Sequence, residues 1–176
     1  MNNIKQIEVF LADRLVGRLA LTKEGLCAFE YTPDWLGSGF SISPFELPLR
    51  SGVFIAKPRP FEGGFGVFDD CLPDGWGLLI LDRYLQQKGI NPRALTLLDR
   101  LALVGSSGRG ALEFRPDHSV VTRQDYADFE KLALEAERIL DSDEYRGEGI
   151  EEFQDRGGSP GGARPKIFAR YEGKEW

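Results

Sequence analysis

Cysteine, histidine and methionine, on which many metal and redox sites depend, are scarce in this sequence. Its 176 residues include two cysteines, one histidine and one methionine. Cys27 and Cys71 are not closely spaced and have only His118 to accompany them, so the spacing of a zinc site is absent. We interpret both cysteines as small buried hydrophobic residues, and His118 as a surface-loop residue, rather than as nucleophiles or ligands.

Long apolar runs are also absent. Leu78–Leu81 is followed at once by Asp82 and Arg83, and no stretch approaches the about 20 apolar residues of a membrane span. Residues 1–7 contain one lysine and lack the apolar segment and cleavage site of a secretory signal. The sequence therefore predicts no membrane segment and favours a cytoplasmic protein.

An excess of basic residues is missing as well. The formal net charge is -6, whereas a nucleic-acid-binding surface depends on clustered lysine and arginine. DNA contact would therefore have to be local or made through a partner. The longest same-sign cluster is acidic, Asp141–Glu144 followed by Glu148, Glu151 and Glu152, and we interpret residues 141–158 as a solvated linker.

Strand patterns occupy the first part of the chain. Apolar and β-branched residues at 7–11 and 15–21 flank a short polar tip, which indicates a hairpin. Residues 26–31 predict a third strand that ends before Pro33, and residues 111–114 predict a further strand. Residues 37–66 have no helical period and are expected to form turns and short extended pieces. These patterns predict an α+β fold with a small antiparallel sheet and packed helices.

Three helices are predicted from the spacing of apolar residues and from their start and stop signals. They span residues 73–89, 91–104 and 122–140. Asp74 stands at the start of the first helix, and Asp69 and Asp70 stand in the turn before it. Because carboxylates at such positions complement the helix dipole or cap free N–H groups, we interpret all three as structural rather than catalytic.

A stretch rich in glycine and proline, residues 157–166, precedes an apparent strand at 167–170. Glycines there can bring backbone N–H groups close to phosphate oxygens, and Arg164 and Lys166 add positive charge. The spacing matches neither the Walker A pattern nor G-x-G-x-x-G. On pattern alone, a flexible loop is favoured over a phosphate-binding loop.

Five stretches taken in order resemble the HipA-like toxin kinases. They are FDDCLPDGWG at 68–77, LDR at 81–83, ALVG at 102–105, RGAL at 109–112 and SPGGARPK at 159–166. That family has an N-terminal coupling domain with an LPD-x-W type helix start, and its kinase portion opens with an S-x-A-G-A-Q-x-K type loop. The resemblance covers nearly all of the chain. It implies a coupling-type domain at 1–116, with 117–176 as a helix, an acidic linker and the loop that opens a kinase-like N-lobe.

The resemblance also implies residue roles. Ser159 corresponds to the serine that such kinases autophosphorylate, while Gly161, Gly162, Ala163 and Lys166 belong to the nucleotide-binding loop. ATP and Mg²⁺ are the cofactors of the family. Its catalytic and metal-binding residues lie downstream of the loop, so no catalytic residue or metal ligand is assigned here, and we expect this chain alone to be inactive.

Two functions follow as expectations. The first is the N-terminal portion of a serine/threonine protein kinase toxin of a toxin-antitoxin system, whose protein substrate belongs to the translation apparatus. The second is a free-standing binding module that contacts a helix-turn-helix antitoxin or a separate kinase subunit. In either case operator DNA would be reached only through the repressor partner. An exposed apolar patch on the first module would favour the binding module.

Overall fold

The computed structural model describes residues 4–108, 110–119, 129–142, 147, 149–157 and 162–167. Their fold is α+β, as the sequence predicts. Five strands and six helices follow one another as β1 (Gln6–Leu11), β2 (Arg14–Leu21), β3 (Cys27–Tyr31), α1 (Pro33–Ser38), β4 (Phe54–Ile55), α2 (Gly66–Asp69), α3 (Gly75–Gln87), α4 (Leu97–Val104), β5 (Leu112–Arg115), α5 (Phe129–Asp141) and α6 (Gly149–Gly157). No helix within these ranges is long and apolar enough to cross a membrane.

The predicted hairpin is present as β1 and β2. Its two turn residues, Ala12 and Asp13, both have positive φ angles, 47° and 62°. Such a turn matches the right-handed twist of the strands that it joins, and it leaves Leu11 opposite Arg14. The alternation of buried and exposed residues then places Ile7, Val9 and Leu19 on one face. The hairpin therefore supplies the centre of the sheet.

The sheet has the order β4-β3-β2-β1-β5, and all neighbouring strands are antiparallel. Its buried face carries Ile7, Val9, Leu19, Phe29 and Phe114, which are at most 1% exposed. Helices α1, α2 and α4 contribute Trp35, Phe68, Leu98 and Leu101 to the same core. This core belongs to the first of two compact units, residues 1–72 and 93–119.

Two short elements of this unit lack a periodic pattern, and one of them, α1, differs from the sequence-based expectation. Pro33 does end β3, but it also begins α1, where Thr32 caps the helix by accepting a hydrogen bond from the Trp35 N–H at 3.3 Å. Residues 37–66 are turns with one short extended piece, as expected, and that piece is β4, which pairs with β3. Buried Trp35 and Phe54 explain both elements, because each anchors a short segment that lacks periodicity of its own.

Helix α4 begins later than its sequence suggests. Residues Pro92–Ala94 form a separate 3₁₀ turn, and α4 starts after Thr96, which forms a capping box with Asp99. Asp99 is 1% exposed, and its two carboxylate oxygens accept hydrogen bonds from Thr96 and from the Ile4 N–H. The reciprocal cap is stronger than the start signal at Asn91. Asp99 also holds the segment before β1 through its hydrogen bond with Ile4.

The second unit comprises residues 73–92 and 120–176. Helix α3, which the sequence places within the module at 1–116, belongs to this unit. It packs against α5 and α6 around an apolar cluster that consists of Trp76, Ile80, Tyr84, Leu132, Ala136, Ile139, Ile150 and Phe153. The Arg83 guanidinium donates a buried hydrogen bond to the Ile139 carbonyl oxygen, and Lys88 pairs with Glu151 at 2.7 Å. The three helices therefore share one core.

Helix α6 lies inside the acidic stretch that the sequence indicates as a linker. The carboxylates Glu151 and Glu152 lie in its first turn, where they complement the helix dipole. Ile150 and Phe153, three residues apart, are buried, and the Phe153 ring meets Trp76 edge-on at 5.2 Å. A narrow apolar face surrounded by acids therefore makes this segment a packed helix.

Candidate functional site

The loop that the resemblance assigns to nucleotide binding lies at the N-terminal end of α3, within the second unit. Gly162 and Ala163 are exposed there, and Lys166 is half-buried. Ser159 and Gly161, the autophosphorylation residue and the first loop glycine, lie outside the described residues, as does most of the strand expected at 167–170. The described part of the site is therefore residues 162–167 together with the start of α3.

A backbone hydrogen bond joins the loop to the helix. The Trp76 N–H, one of the N–H groups that the first turn of a helix leaves without an intrahelical partner, donates to the Gly162 carbonyl oxygen at 2.9 Å. Ile167, at the other end of the described loop, packs against the apolar cluster of the second unit. The segment is thus held at both ends, and the backbone between them is exposed.

Glycine at position 75 permits this approach. Gly75 has a φ of +44°, and a Cβ built there would come within 3.0 Å of the Gly162 carbonyl group and the Ala163 nitrogen. Gly162 itself has a φ of +85°. A side chain at position 75 would therefore be strained and would also push the loop away.

Asp74 occupies the N-cap position, as expected, but its carboxylate does not cap α3 in the described structure. Its Oδ2 atom instead accepts from the backbone N–H of Gly162, with 3.5 Å between oxygen and nitrogen, at the outer limit of a hydrogen bond. The carboxylate therefore faces the loop. Asp69 and Asp70 end α2 in the first unit, where burial, followed by the charges of Asp70 and Glu62, raises the pKa of Asp69.

Two features of the loop fit a phosphate group, and one opposes it. The exposed backbone of Gly162 and Ala163 can approach an anion closely, and the Lys166 Nζ lies 3.1 Å from where a Gly162 Cβ would be. The Asp74 carboxylate, by contrast, would repel a phosphate placed against the Gly162 N–H. Within the described ranges no three His, Cys, Asp or Glu side chains group to hold a metal ion.

The cysteines agree with their interpretation as buried hydrophobic residues. Cys27 is 1% exposed, and burial raises the pKa of its thiol to about 11. Cys71 is partly buried, its Sγ donates to the Val67 carbonyl oxygen at 3.2 Å, and burial together with the Asp70 charge raises its pKa to about 11. Neither thiol is poised to ionise near neutral pH, so neither is a candidate nucleophile.

The contact between α3 and the loop was not predicted from the sequence. On sequence alone, LPDGWG at 72–77 indicates the start of a helix and SPGGARPK at 159–166 indicates a loop, with nothing that links the two. The contact between Gly75 and Gly162 leaves no periodic pattern in the sequence. The one available signal was Gly75, since a glycine directly after an N-cap aspartate is a poor helix former and suggests a close backbone approach.

The fold and the loop define an α+β domain joined to a helical unit that carries a glycine-rich segment. Residues 7–115 match the family model described as HipA N-terminal domain, which is more than half of the chain. The chain therefore belongs to the HipA N-terminal domain family, and the resemblance inferred from its motifs is confirmed.

A solved structure shares the fold. It is a chain from the Shewanella oneidensis toxin-antitoxin complex of HipA, HipB and operator DNA, with 23% sequence identity and a TM-score of 0.50. The match covers 81% of the present chain and 32% of the Shewanella oneidensis chain. The present chain thus spans about a third of that relative.

Proposed function

We propose that this chain is the N-terminal portion of a HipA-like serine/threonine protein kinase toxin of a toxin-antitoxin system. In this proposal residues 1–116 form the coupling-type domain, and residues 117–176 lead into the kinase domain. The observation that carries it is the exposed Gly162–Ala163 backbone with Lys166 beside it, in a chain whose preceding residues belong to the HipA N-terminal family. The catalytic aspartate and the metal ligands are supplied by other parts of the kinase.

The proposed reaction transfers the γ-phosphoryl group of ATP to a hydroxyl group of a protein, with ADP as the leaving group. Catalysis of this kind depends on positioning and on neutralising charge. In this proposal Gly161, Gly162 and Ala163 offer backbone N–H groups to the phosphates, and the Lys166 ammonium balances their charge. Ser159 is the residue that is autophosphorylated, Mg²⁺ is the metal, and a protein of the translation apparatus is the substrate.

Titration of the intact gene product with Mg²⁺ and ATP tests the role of the loop. Lys166→Ala should weaken ATP binding about tenfold or more, because a charge-assisted contact to phosphate contributes about 1.5–3 kcal/mol. Lys88→Ala is the matched control, since Lys88 lies on the same unit and pairs with Glu151. Equal affinities for the wild type and Lys166→Ala would contradict the proposal.

A second function, a binding module for an antitoxin or a kinase subunit, is favoured by a separate observation. Among the described residues of the first unit, five large apolar side chains are exposed, and they are Phe40, Phe45, Leu49, Val53 and Ile55. All lie within a stretch of 16 residues, whereas scattered single exposures need no partner. The proposed partner is a helix-turn-helix antitoxin, and operator DNA would be reached only through it.

Intact mass of the natively expressed protein separates the two functions. A longer chain with a catalytic-loop aspartate and a metal-binding aspartate supports the kinase. A native chain that ends at Trp176, does not turn over ATP and co-purifies with a repressor supports the binding module.

A further inference from the structure

The first unit has one open sheet edge whose side chains are apolar. Strand β4 ends the sheet order and pairs with β3 on one side, and no other strand of the described chain covers its outer side. The Ala56 N–H donates to the Cys27 carbonyl oxygen at 2.8 Å, so Ala56 faces β3. Because successive residues of a strand direct their backbone groups to opposite edges, the N–H and C=O of Ile55 face the open side.

The side chains along this edge are unusually exposed. Ile55 is 61% exposed and Val53 is 56% exposed, although both are β-branched residues that normally pack within sheets. Proteins commonly block an open edge with lysine, proline or a short strand. Lys57 and Pro58 protect β4 on its C-terminal side in this way. Although β4 is only two residues long, its N-terminal side, from Val53 to Ile55, carries neither lysine nor proline.

A cavity lies beside the unprotected end. The register pairs Ala28 with Ile55 and Phe29 with Phe54, so its continuation sets Tyr31 beside Gly52. A cavity of about 260 Å³ lies there, and its lining includes Tyr31, Gly52, Thr32, Leu36, Arg18 and Glu30. That volume is below the roughly 300–1,000 Å³ of most small-molecule sites, and it suits one or two side chains of a peptide.

The charge at this edge differs from that of the whole chain. Residues 47–61 contain Arg50, Lys57 and Arg59 and no acidic residue, although the chain carries a net charge of -6. All three basic side chains are exposed, and the Arg50 guanidinium lies 4.4 Å from the centre of the Phe54 ring. Glu30 of β3, which the continued register sets beside Val53, is an exposed acid at this edge, and Arg18 of β2 lies opposite it. The edge is therefore apolar with a local excess of basic side chains, which complements a segment that alternates apolar and acidic residues.

From these observations we propose that the open edge of β4 binds an extended, acidic and apolar segment of a partner protein by strand addition. The segment would pair with the backbone groups of Ile55, place apolar side chains against Val53 and Ile55, and insert one side chain into the adjacent cavity. Its acidic residues would meet Arg50, Lys57 and Arg59. This inference deepens the partner-binding function proposed above and rests on it.

Selection of a random peptide library of about 12 residues on the full chain tests the inference. Enriched peptides should alternate apolar and acidic residues. Ile55→Pro should weaken their binding at least tenfold, because it removes the outward N–H without removing the bond from Ala56 to β3. Lys57→Glu, which leaves the backbone intact, should also weaken binding, as should added salt. Leu134→Glu is the matched control, since Leu134 is 57% exposed on α5.

Three outcomes would overturn the inference. They are the absence of any enrichment, enrichment of peptides without acidic residues, and binding that Ile55→Pro and Lys57→Glu leave within about twofold of the wild type. Self-association of the chain that Ile55→Pro abolishes would also overturn it, because the occupant would then be a second copy. None of these measurements involves ATP, and antitoxin binding is measured separately. The proposed strand addition at β4 can therefore be disproved while the proposed function stands.

Discussion

The backbone N–H of Trp76 donates to the carbonyl oxygen of Gly162 at 2.9 Å, which joins the first turn of α3 to the glycine-rich loop. The two residues lie far apart in the chain, and each belongs to a motif by which the sequence resembles HipA-like proteins. A helix start that sequence alone assigns to the coupling domain therefore positions the loop proposed to bind nucleotide.

Gly75→Ala should release the loop from α3. The added Cβ would clash with the Gly162 carbonyl group, so the hydrogen bond from Trp76 should break. Hydrogen exchange of the Trp76 amide should accelerate about tenfold or more. Gly89→Ala is the control, because Gly89 also has a positive φ, +74°, but a Cβ there meets nothing within 4 Å. If Gly89→Ala accelerated the exchange of the Trp76 amide as much as Gly75→Ala does, backbone strain rather than the clash would explain the effect.

If the loop binds nucleotide as proposed, Asp74→Asn should strengthen that binding in the intact protein. The Asp74 carboxylate faces the Gly162 N–H and opposes a phosphate there, whereas an amide removes the negative charge and keeps the shape. We expect ATP affinity to rise by about two- to tenfold, with a smaller gain at high salt. Asp34→Asn, which removes one exposed charge from α1 in the first unit, controls for net charge. Weaker ATP binding in Asp74→Asn would assign that carboxylate a positive role in the site.

Part of the fold could be predicted because its cues are local. The hairpin turn at Ala12–Asp13 and the apolar spacing of α3 act within a few residues. Helix α6 was missed because acidic residues surround its narrow apolar face, Ile150 and Phe153, whose burial depends on Trp76 far along the chain. The contact between Gly75 and Gly162 likewise joins residues that are far apart in the chain. Resemblance to a family could assign the loop a function, but only the fold shows what holds it.

Asp99→Ala should destabilise the protein by about 3 kcal/mol. The mutation removes a buried carboxylate that accepts hydrogen bonds from Ile4 and Thr96, and it leaves the Ile4 and Thr96 donors without that acceptor. Thr96→Ala, which removes only the N-cap side chain, should cost about 1 kcal/mol. Urea denaturation of both variants measures the difference, and equal losses would show that the contact to Ile4 contributes nothing.

Asp117→Asn should reduce the loss of stability in acid. Burial alone would raise the pKa of Asp117, but hydrogen bonds from Ser106 and Ser119 outweigh it and hold that pKa below its ordinary value of 3.8. The stabilisation is therefore present above the ordinary pKa and is lost as pH falls through the lowered value. Urea midpoints at about pH 7 and about pH 3 should differ less in Asp117→Asn than in the wild type.

Ser106→Ala provides an independent check on the same interaction. It removes the hydroxyl that donates to Asp117 at 2.6 Å and should shift the pH dependence in the same direction, by a smaller amount. If Ser106→Ala and the wild type lose stability equally in acid, the Ser106 hydroxyl does not lower the pKa of Asp117.

Mapping of phosphate on the intact gene product after incubation with ATP and Mg²⁺ tests the central claim most directly. We expect a single phosphoryl group on Ser159 in the wild type, and its loss in Lys166→Ala and in Ser159→Ala. Lys88→Ala should be phosphorylated like the wild type. Absence of phosphate from the wild-type protein, together with the absence of measurable ATP binding, would contradict the proposed kinase function and favour a partner-binding domain.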